Sequence, residues 1–197
     1  MVQSPSTRPS LLVRIRNIED QEAWSQFVEI YAPLIYGYAR RHGLQDADAA
    51  DLTQDVLRTV AGVASKLVYD TRRGSFRGWL FTVTRNKLRT LHARRQRRCQ
   101  GTGDSDMQDL LSQHAAPEDD AAAWDLECER RQFHWAAERV RAEVQESTWL
   151  AFWQTAVEGR SGKEVAAALD MTVAAVYLAR SRIMARLKER LRLLADE

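Results

Sequence analysis

The segment from Arg73 to Arg98 combines the two kinds of side chain that hold nucleic acid strands, cations and aromatic rings. Its sequence, RGSFRGWLFTVTRNKLRTLHARRQRR, carries nine Lys and Arg residues and no Asp or Glu. Cations neutralise backbone phosphates, and aromatic faces stack on unpaired bases. Because so many like charges repel one another unless an anion lies against them, the segment predicts binding to phosphate.

The same segment has the periodicity of a helix that packs on a core. Its apolar residues fall on one arc at about 100° per residue, and they are Phe76, Trp79, Leu80 and Val83. Arg85 and Arg89 project from the far side. Periodicity alone therefore favours packing over base stacking for Trp79, and the cations are the better candidates for binding.

Acidic residues are concentrated in two other places. Residues 99–129 contain nine Asp and Glu and no Lys or Arg, so the formal net charge of +2 hides blocks of opposite sign. A second group opens a predicted amphipathic helix, and it consists of Asp46, Asp48, Asp51 and Asp55. Acids suit a helix N-terminus because the backbone dipole is positive there. A capping role and a docking role are both open for this group.

The stretch from Ser161 to Leu191, SGKEVAAALDMTVAAVYLARSRIMARLKERL, predicts two helices joined by a tight turn. Ser161 and Glu164 have the spacing of a capping box, and Thr172 can cap the second helix. The first helix, 162–169, is rich in Ala, which lets the second helix cross it closely. This pattern is typical of a helix-turn-helix, whose second helix enters the major groove of DNA. An ordinary helical hairpin is the alternative.

Periodicity also predicts which residues of this hairpin are buried. The predicted buried residues are Val165, Ala166, Leu169, Val173, Val176, Ile183 and Leu187. The residues left outside this stripe are Tyr177, Leu178, Ser181 and Arg182, flanked by Arg180 and Arg186. A second surface for DNA is therefore expected on the second helix.

No residue pattern in the chain indicates catalysis or metal binding. The four histidines are scattered and make no metal-ligand spacing. A nucleophile elbow, a phosphate-binding Gly-rich loop and a dinucleotide fingerprint are all missing from the sequence. Cys99 and Cys128 have no CxxC spacing, which favours reduced thiols over a disulfide. We expect no enzyme activity, no metal and no cofactor.

Composition predicts an all-α protein, because nine Gly and four Pro stand against many Ala, Leu, Arg and Glu. The predicted parts are a disordered N-terminus (1–10), a first small helical domain (11–98), a flexible acidic linker (99–120) and a second domain (121–197). Pro33 predicts two helical pieces bent at the proline. No apolar run reaches the length of a signal-peptide core or a membrane span, so we expect a cytoplasmic protein without membrane contact.

Four segments, in this order, resemble the sigma factors of bacterial RNA polymerase, in particular the extracytoplasmic-function (ECF) group of the sigma-70 family. WSQFVEIYAPLIYGYARRHGL resembles the first helices of the second conserved region, and DAADLTQDVL resembles its acidic AEDLTQEVF-like helix. GSFRGWLFTVTRNKLR is similar to the promoter-melting segment. GKEVAAALDMTVAAVYLARSRIMARLKERL is similar to the helix-turn-helix of the fourth region. Together they span most of 24–191.

The resemblance implies a role for each surface. A region 2-like bundle would bind core RNA polymerase through the acidic helix, and the candidates are Asp51, Leu52, Gln54, Asp55 and Val56. It would capture the melted downstream promoter strand with Tyr69, Arg77, Asn86, Lys87 and Arg89. Phosphate contacts would come from Arg85, Arg94, Arg95, Arg97 and Arg98. A region 4-like helix-turn-helix would read upstream duplex DNA with Thr172, Tyr177, Leu178, Arg180, Ser181, Arg182 and Arg186.

The linker and the regulation are less defined. Family members thread the linker through the polymerase, where its acids can imitate RNA, although solubility explains the acids equally well. The resemblance also raises an anti-sigma factor as a partner, and the sequence does not decide whether one exists.

Three departures from the family pattern affect the expected contacts. Ala50 replaces the usual Glu before the LTQ-type triplet, which puts one polymerase contact in doubt. Asp170 replaces the usual Gly of the turn, which Asp tolerates because it visits left-handed backbone conformations more readily than most residues. Tyr177 and Leu178 replace a basic and a small polar residue, and an apolar contact to a thymine methyl group could substitute for a hydrogen bond there.

The sequence thus predicts a sigma factor that directs promoter-specific transcription initiation. The nearest alternative is a stand-alone helix-turn-helix regulator, which would leave the acidic helix and the basic helix without a task. A helical adaptor that binds only protein would leave the Arg94–Arg98 cluster unexplained.

Overall fold

The computed structural model describes residues 10–65, 75–100 and 118–194, with the backbone alone for 96–100, 118 and 119. Within these ranges the regular structure is entirely helical, which confirms the predicted all-α class. The helices are α1 (Leu11–Arg14), α2 (Gln21–Arg41), α3 (Asp46–Ala64), α4 (Phe76–Gln100), α5 (Glu118–Ala142), α6 (Glu146–Ala156), α7 (Gly162–Ala168) and α8 (Val173–Arg192). The predicted disordered N-terminus (1–10, apart from Ser10) and most of the predicted linker (99–120) lie outside the described residues.

Apart from a few terminal residues, the chain divides into two compact units, Leu11–Arg131 and Gln132–Ala195. The first unit is built on α2, α3 and α4. Its core contains a cluster of aromatic rings: the centroids of Phe27 and Tyr31 lie 4.6 Å apart, and Phe76 lies 5.8 Å from Phe27. The apolar stripe that the sequence predicted for α4 therefore does contribute to a core.

Helix α2 continues through Pro33 as one element, so the two separate pieces predicted from the proline are not present. Proline removes one backbone donor and disturbs the turn before it. The residues on both sides of it are buried, however, including Tyr31 and Leu34. Burial along the whole helix outweighs the local cost. Asp20 caps the start of α2 by accepting from the Ala23 amide, and Arg14 donates to Asp20 at 2.9 Å.

The first part of α5 packs in the first unit, although the sequence analysis placed everything after residue 120 in the second domain. Trp124 is 1% exposed, and its ring lies 5.5 Å from those of both Tyr38 and Phe81. Cys128, one turn further along, is also buried. The limit between the units falls at Arg131 because these side chains bury their apolar surface against α2 and α4.

In the second unit α8 packs on α6 and α7. The core residues here are small, and they are Ala151, Val165, Ala166, Val176 and Ala179. Small residues allow close helix crossing, as predicted. Ile183 and Leu187 are buried as expected and Leu169 is partly buried, but Val173 is 37% exposed. The prediction that Val173 is buried was wrong.

The turn between α7 and α8 has the local chemistry that the sequence indicated. The Ser161 hydroxyl accepts from the Glu164 amide, and the Glu164 carboxylate accepts from the Ser161 amide, which completes the capping box. The Thr172 hydroxyl accepts from the Ala175 amide at the start of α8. Asp170 has a φ of 51°, the left-handed conformation that was expected at this turn. The hairpin is therefore held by side chains close in sequence.

None of the helices within the described ranges is long and apolar enough to cross a membrane.

Candidate functional site

A groove runs between α3 and α4 in the first unit. One wall is acidic and comes from α3, and the other is mainly polar and basic and comes from α4. The lining residues are Asp48, Asp51, Leu52, Asp55, Asn86, Lys87, Thr90, Leu91 and Arg94. Residues predicted from the sequence for two different ligands, a protein and a DNA strand, thus face each other across one groove.

On the acidic wall, the structure separates exposed residues from packing residues. Asp51, Gln54 and Asp55 are exposed. Leu52 is 4% exposed and Val56 is fully buried. These two side chains pack inside the unit, and Leu52 also lines the groove. Their part in polymerase binding stays a prediction.

Two of the exposed α3 residues share one basic neighbour. Arg58 forms an ion pair with Asp55 at 2.7 Å and donates to the Gln54 side-chain oxygen at 3.1 Å. These contacts lie on the surface and contribute little to stability. They fix the orientation of the Asp55 carboxylate. Asp51, in contrast, lines the groove and presents its charge to it.

The first two acids of the cluster have a structural role. Asp46 and Asp48 lie in the first turn of α3, where the positive end of the helix dipole favours acids. Asp46 accepts from the Tyr36 hydroxyl at 3.1 Å and pairs with Arg40 at 3.0 Å. Asp48 pairs with Arg95 of α4. The structural interpretation thus applies to Asp46 and Asp48, whereas docking stays a prediction for Asp51 and Asp55.

The predicted DNA-binding residues of α4 fall on two sides of the helix. Asn86, Lys87 and Arg94 line the groove. Arg77 lies on another side, 3.6 Å from the Glu129 carboxylate of α5. Tyr69 lies outside the described residues, as do the side chains of Arg97 and Arg98. Sequence periodicity could not reveal this split, because it depends on which helices pack beside α4.

Three further arginines of α4 are only partly exposed. Arg85 lies over the Phe81 ring at 5.6 Å, and its Nε is buried without a hydrogen-bond partner among the described residues. Arg89 is half-buried, and Arg95 is engaged by Asp48. All three were predicted to contact a DNA strand. Because Nε of Arg85 is buried, a phosphate would have to bind the other two guanidinium nitrogens of this residue.

Next to these arginines lies a polar contact that the sequence analysis missed. The Tyr38 hydroxyl donates to the Asp120 carboxylate at 3.4 Å, and Nε2 of His42 lies 3.2 Å from the same oxygen. Burial raises the pKa of Tyr38 to about 12, the negative charge of Asp120 adds to this, and Arg85 and Arg89 oppose it. In the sequence, the only feature that could have indicated this contact is the isolated Trp124, which lies four residues after Asp120 on α5.

In the second unit, α8 presents the predicted reading face to solvent. Tyr177 and Leu178 are 53% and 50% exposed. The other predicted residues are exposed as well: Thr172, Arg180, Ser181, Arg182 and Arg186. The Thr172 hydroxyl is already used as the helix cap, and Arg186 lies 3.8 Å from the Glu143 carboxylate. Two large apolar side chains on an exposed basic helix are the unusual feature of this face.

The Tyr177 ring lies against Gly162, at the start of α7. A Cβ atom placed on Gly162 would lie 2.9 Å from Cζ of Tyr177 and 3.0 Å from its hydroxyl oxygen. Gly162 could not be recognised from the sequence, because a glycine at the start of a helix gives no indication of which side chain crosses it. In the described part of the chain, no cluster of His, Cys, Asp and Glu is suited to hold a metal ion.

Comparison with protein families identifies the first unit. Residues 27–99, which include most of α2, all of α3 and nearly all of α4, match the family model for sigma-70 region 2. The first unit is therefore similar to sigma-70 region 2 over these residues. The α3/α4 groove lies within region 2, whereas α5 to α8 lie beyond the matched residues.

The solved structure of CnrH in complex with the cytosolic domain of CnrY is similar over 90% of this chain and 92% of that chain, at 23% sequence identity and a TM-score of 0.36. No curated protein matches the sequence significantly. The likeness to the sigma-70 family therefore rests on the region 2 match.

Proposed function

We propose that this protein is a sigma factor of the ECF group of the sigma-70 family, which binds core RNA polymerase in the cytoplasm and directs it to specific promoters. In this proposal region 2 captures and melts the downstream promoter element, and the α7–α8 hairpin reads the upstream element. The observation that carries the proposal is the region 2 match over α2, α3 and α4. The hairpin geometry and the basic face of α8 support the second half.

The surface proposed for polymerase is the exposed edge of α3. Asp51, Gln54 and Asp55 lie on it, and Asp51 also lines the α3/α4 groove. Carboxylates at an interface favour a basic partner surface and increase the rate of encounter. Asp51 is the better single target for mutation, because Asp55 already has a counter-ion in Arg58.

The surface proposed for the melted strand is the groove side of α4. Lys87 and Arg94 supply charge, and Asn86 supplies hydrogen bonds to a base. Single-stranded DNA is held by such a combination of a basic groove and base contacts. The upstream element is read in duplex form, where Arg182 and Ser181 can reach base edges in the major groove and Arg180 can reach phosphates.

In vitro transcription tests this proposal. Purified core polymerase of the source bacterium is combined with genomic promoter fragments, with and without the protein. We expect discrete start sites that depend on the protein, and loss of these start sites with Asp51→Arg, because the reversed charge repels a basic partner. Glu19→Arg is the matched control, since it reverses one exposed charge on the same unit and should leave initiation unchanged.

The result that would overturn the proposal is also defined. If the protein neither co-purifies with core polymerase nor produces new start sites, it is not a sigma factor for that enzyme. The exposed reading face of α8 favours a stand-alone helix-turn-helix regulator as the second candidate. Tight binding of the isolated protein to one duplex site as a dimer would establish that candidate, because symmetric half-sites need two reading heads.

A further inference from the structure

Gly162 differs from the other glycines in the described ranges by the side chain that lies against it. For Gly37, Gly43, Gly62 and Gly159, an added Cβ would meet nothing within 4 Å, and for Gly78 it would meet only the Ser75 hydroxyl at 3.3 Å. At Gly162 three atoms of the Tyr177 ring end, Cζ, Cε2 and the hydroxyl oxygen, lie within 3.1 Å of the Cβ position. The ring is laid across the first turn of α7.

This arrangement determines which part of Tyr177 is presented to solvent. The hydroxyl end of the ring lies at Gly162, and yet 53% of the residue is exposed. A ring held in this way offers its apolar face and edge rather than an extended hydroxyl. In the major groove, the thymine methyl group is the base feature that an apolar surface recognises.

We propose that Gly162 is a positioning residue for Tyr177, and that the ring it holds sets a preference for thymine at one position of the upstream promoter element. The inference rests on the proposed function, because it requires α8 to lie in the major groove. The ligand is the C5-methyl edge of a T·A pair, which the ring contacts without a hydrogen bond.

The backbone does not explain the glycine. The described glycines with positive φ are Gly43 and Gly159, so Gly162 has a conformation that alanine adopts freely. Alanine also has the higher helix propensity of the two. A methyl group at this position is therefore compatible with α7 itself, and the clash falls on the end of an exposed side chain that can rotate away. Gly162→Ala should displace the Tyr177 ring without unfolding the second unit.

The experiment selects promoters with the holoenzyme from a duplex library in which the upstream element is randomised and the downstream element is kept constant. Wild type is compared with Gly162→Ala, Tyr177→Ala, the double variant and Tyr177→Phe. We expect both single alanine variants to weaken the same thymine preference about fivefold or more. The double variant should show no further loss, and Tyr177→Phe should keep the preference because it keeps the ring.

A matched control and a stability measurement separate positioning from folding. Gly37→Ala adds a methyl group in open space in the first unit, and it should select the wild-type sequence. The unfolding temperature of Gly162→Ala should equal or exceed that of wild type. A merely structural role would lower this temperature and weaken binding to all sequences alike.

Three outcomes would overturn the inference. If Gly162→Ala selects the wild-type sequence while Tyr177→Ala does not, the ring needs no positioning. If Tyr177→Ala keeps the preference, the ring does not read the base. If wild-type holoenzyme selects no upstream sequence at all, the proposed function itself fails, and the inference fails with it.

Discussion

Tyr38 keeps its proton to strongly alkaline pH, because it is buried and faces Asp120. Its pKa is about 12 in the folded protein, against 10.0 for an ordinary tyrosine. The unfolded chain therefore loses this proton first as the pH rises. The stabilisation is fully present below pH 10 and is lost between about pH 10 and pH 12, with an upper limit of about 3 kcal/mol.

Urea unfolding followed by circular dichroism between pH 9 and pH 11.5 tests this expectation. The free energy of unfolding should fall with pH more steeply in wild type than in Tyr38→Phe, which has no proton to lose. Tyr177→Phe is the matched control, because it removes an exposed tyrosine hydroxyl. Parallel pH profiles for wild type and Tyr38→Phe would contradict the assignment.

Single residues were predictable from the sequence where their partners lie within a few positions. The capping box of Ser161 and Glu164, the Thr172 cap and the left-handed Asp170 all depend on atoms of the same turn. The contact between Gly162 and Tyr177 joins residues of two different helices, and no local pattern encodes it.

At the scale of elements, the packing of α5 on the first unit depends on Trp124. Its side chain is almost fully buried, with the rings of Tyr38 and Phe81 at 5.5 Å. Replacing a buried Trp by Ala removes apolar contacts and leaves a cavity, at a typical cost of about 3–5 kcal/mol. Trp124→Ala should therefore detach this part of the helix.

Hydrogen exchange measures the effect directly. In Trp124→Ala, backbone amides of residues 120–131 should lose most of their protection, while amides of α6 and α8 should keep theirs. Leu126→Ala is the matched control on the same helix, because Leu126 is 50% exposed and its removal should change little. Unchanged protection of 120–131 in Trp124→Ala would mean that other contacts hold the helix.

Helices were predictable where the apolar period continued, and their limits were not. For the hairpin of α7 and α8, each predicted helix end agrees with the structure to within about one residue. The packing of the first part of α5 on the first unit was not predictable, because an acidic stretch has little apolar signal and Trp124 finds its partners far away in the sequence. Pro33 predicted a division that burial of α2 on both sides prevents.

At the scale of the whole molecule, the proposed function requires that two weak DNA surfaces become effective only when polymerase presents both of them. Binding through cations releases counter-ions and is salt-dependent, and joint presentation raises the effective concentration of the second site. The isolated protein should bind promoter duplex weakly, and raising KCl from about 50 to about 200 mM should weaken binding at least about tenfold.

Fluorescence anisotropy with a labelled promoter fragment measures both quantities. The holoenzyme should bind the same fragment much more tightly than the isolated protein at equal salt. A fragment with a scrambled upstream element serves as the control for specificity. Tight, salt-insensitive binding by the isolated protein would contradict the division of labour proposed for the two units.

The two-unit organisation was predictable from the alternation of basic and acidic blocks and from two separate sets of apolar periods. The resemblance to the sigma-70 family came from short motifs, and two of them lie in α3 and α4, within the residues that match sigma-70 region 2. The predicted limits of the two domains stay a prediction for the protein bound to polymerase. The structure places the limit within a helix, where composition changes little.

The groove between α3 and α4 has a consequence for how the two proposed ligands influence each other. Asp51 stands on one wall, and Lys87 and Arg94 stand on the other. A basic polymerase surface that neutralises Asp51 would strengthen the positive potential at the opposite wall, so that DNA binds more tightly once polymerase is bound. Linkage makes this effect mutual, and promoter DNA would hold polymerase on the protein by the same free energy. The groove would thus couple the binding of polymerase to the binding of promoter DNA.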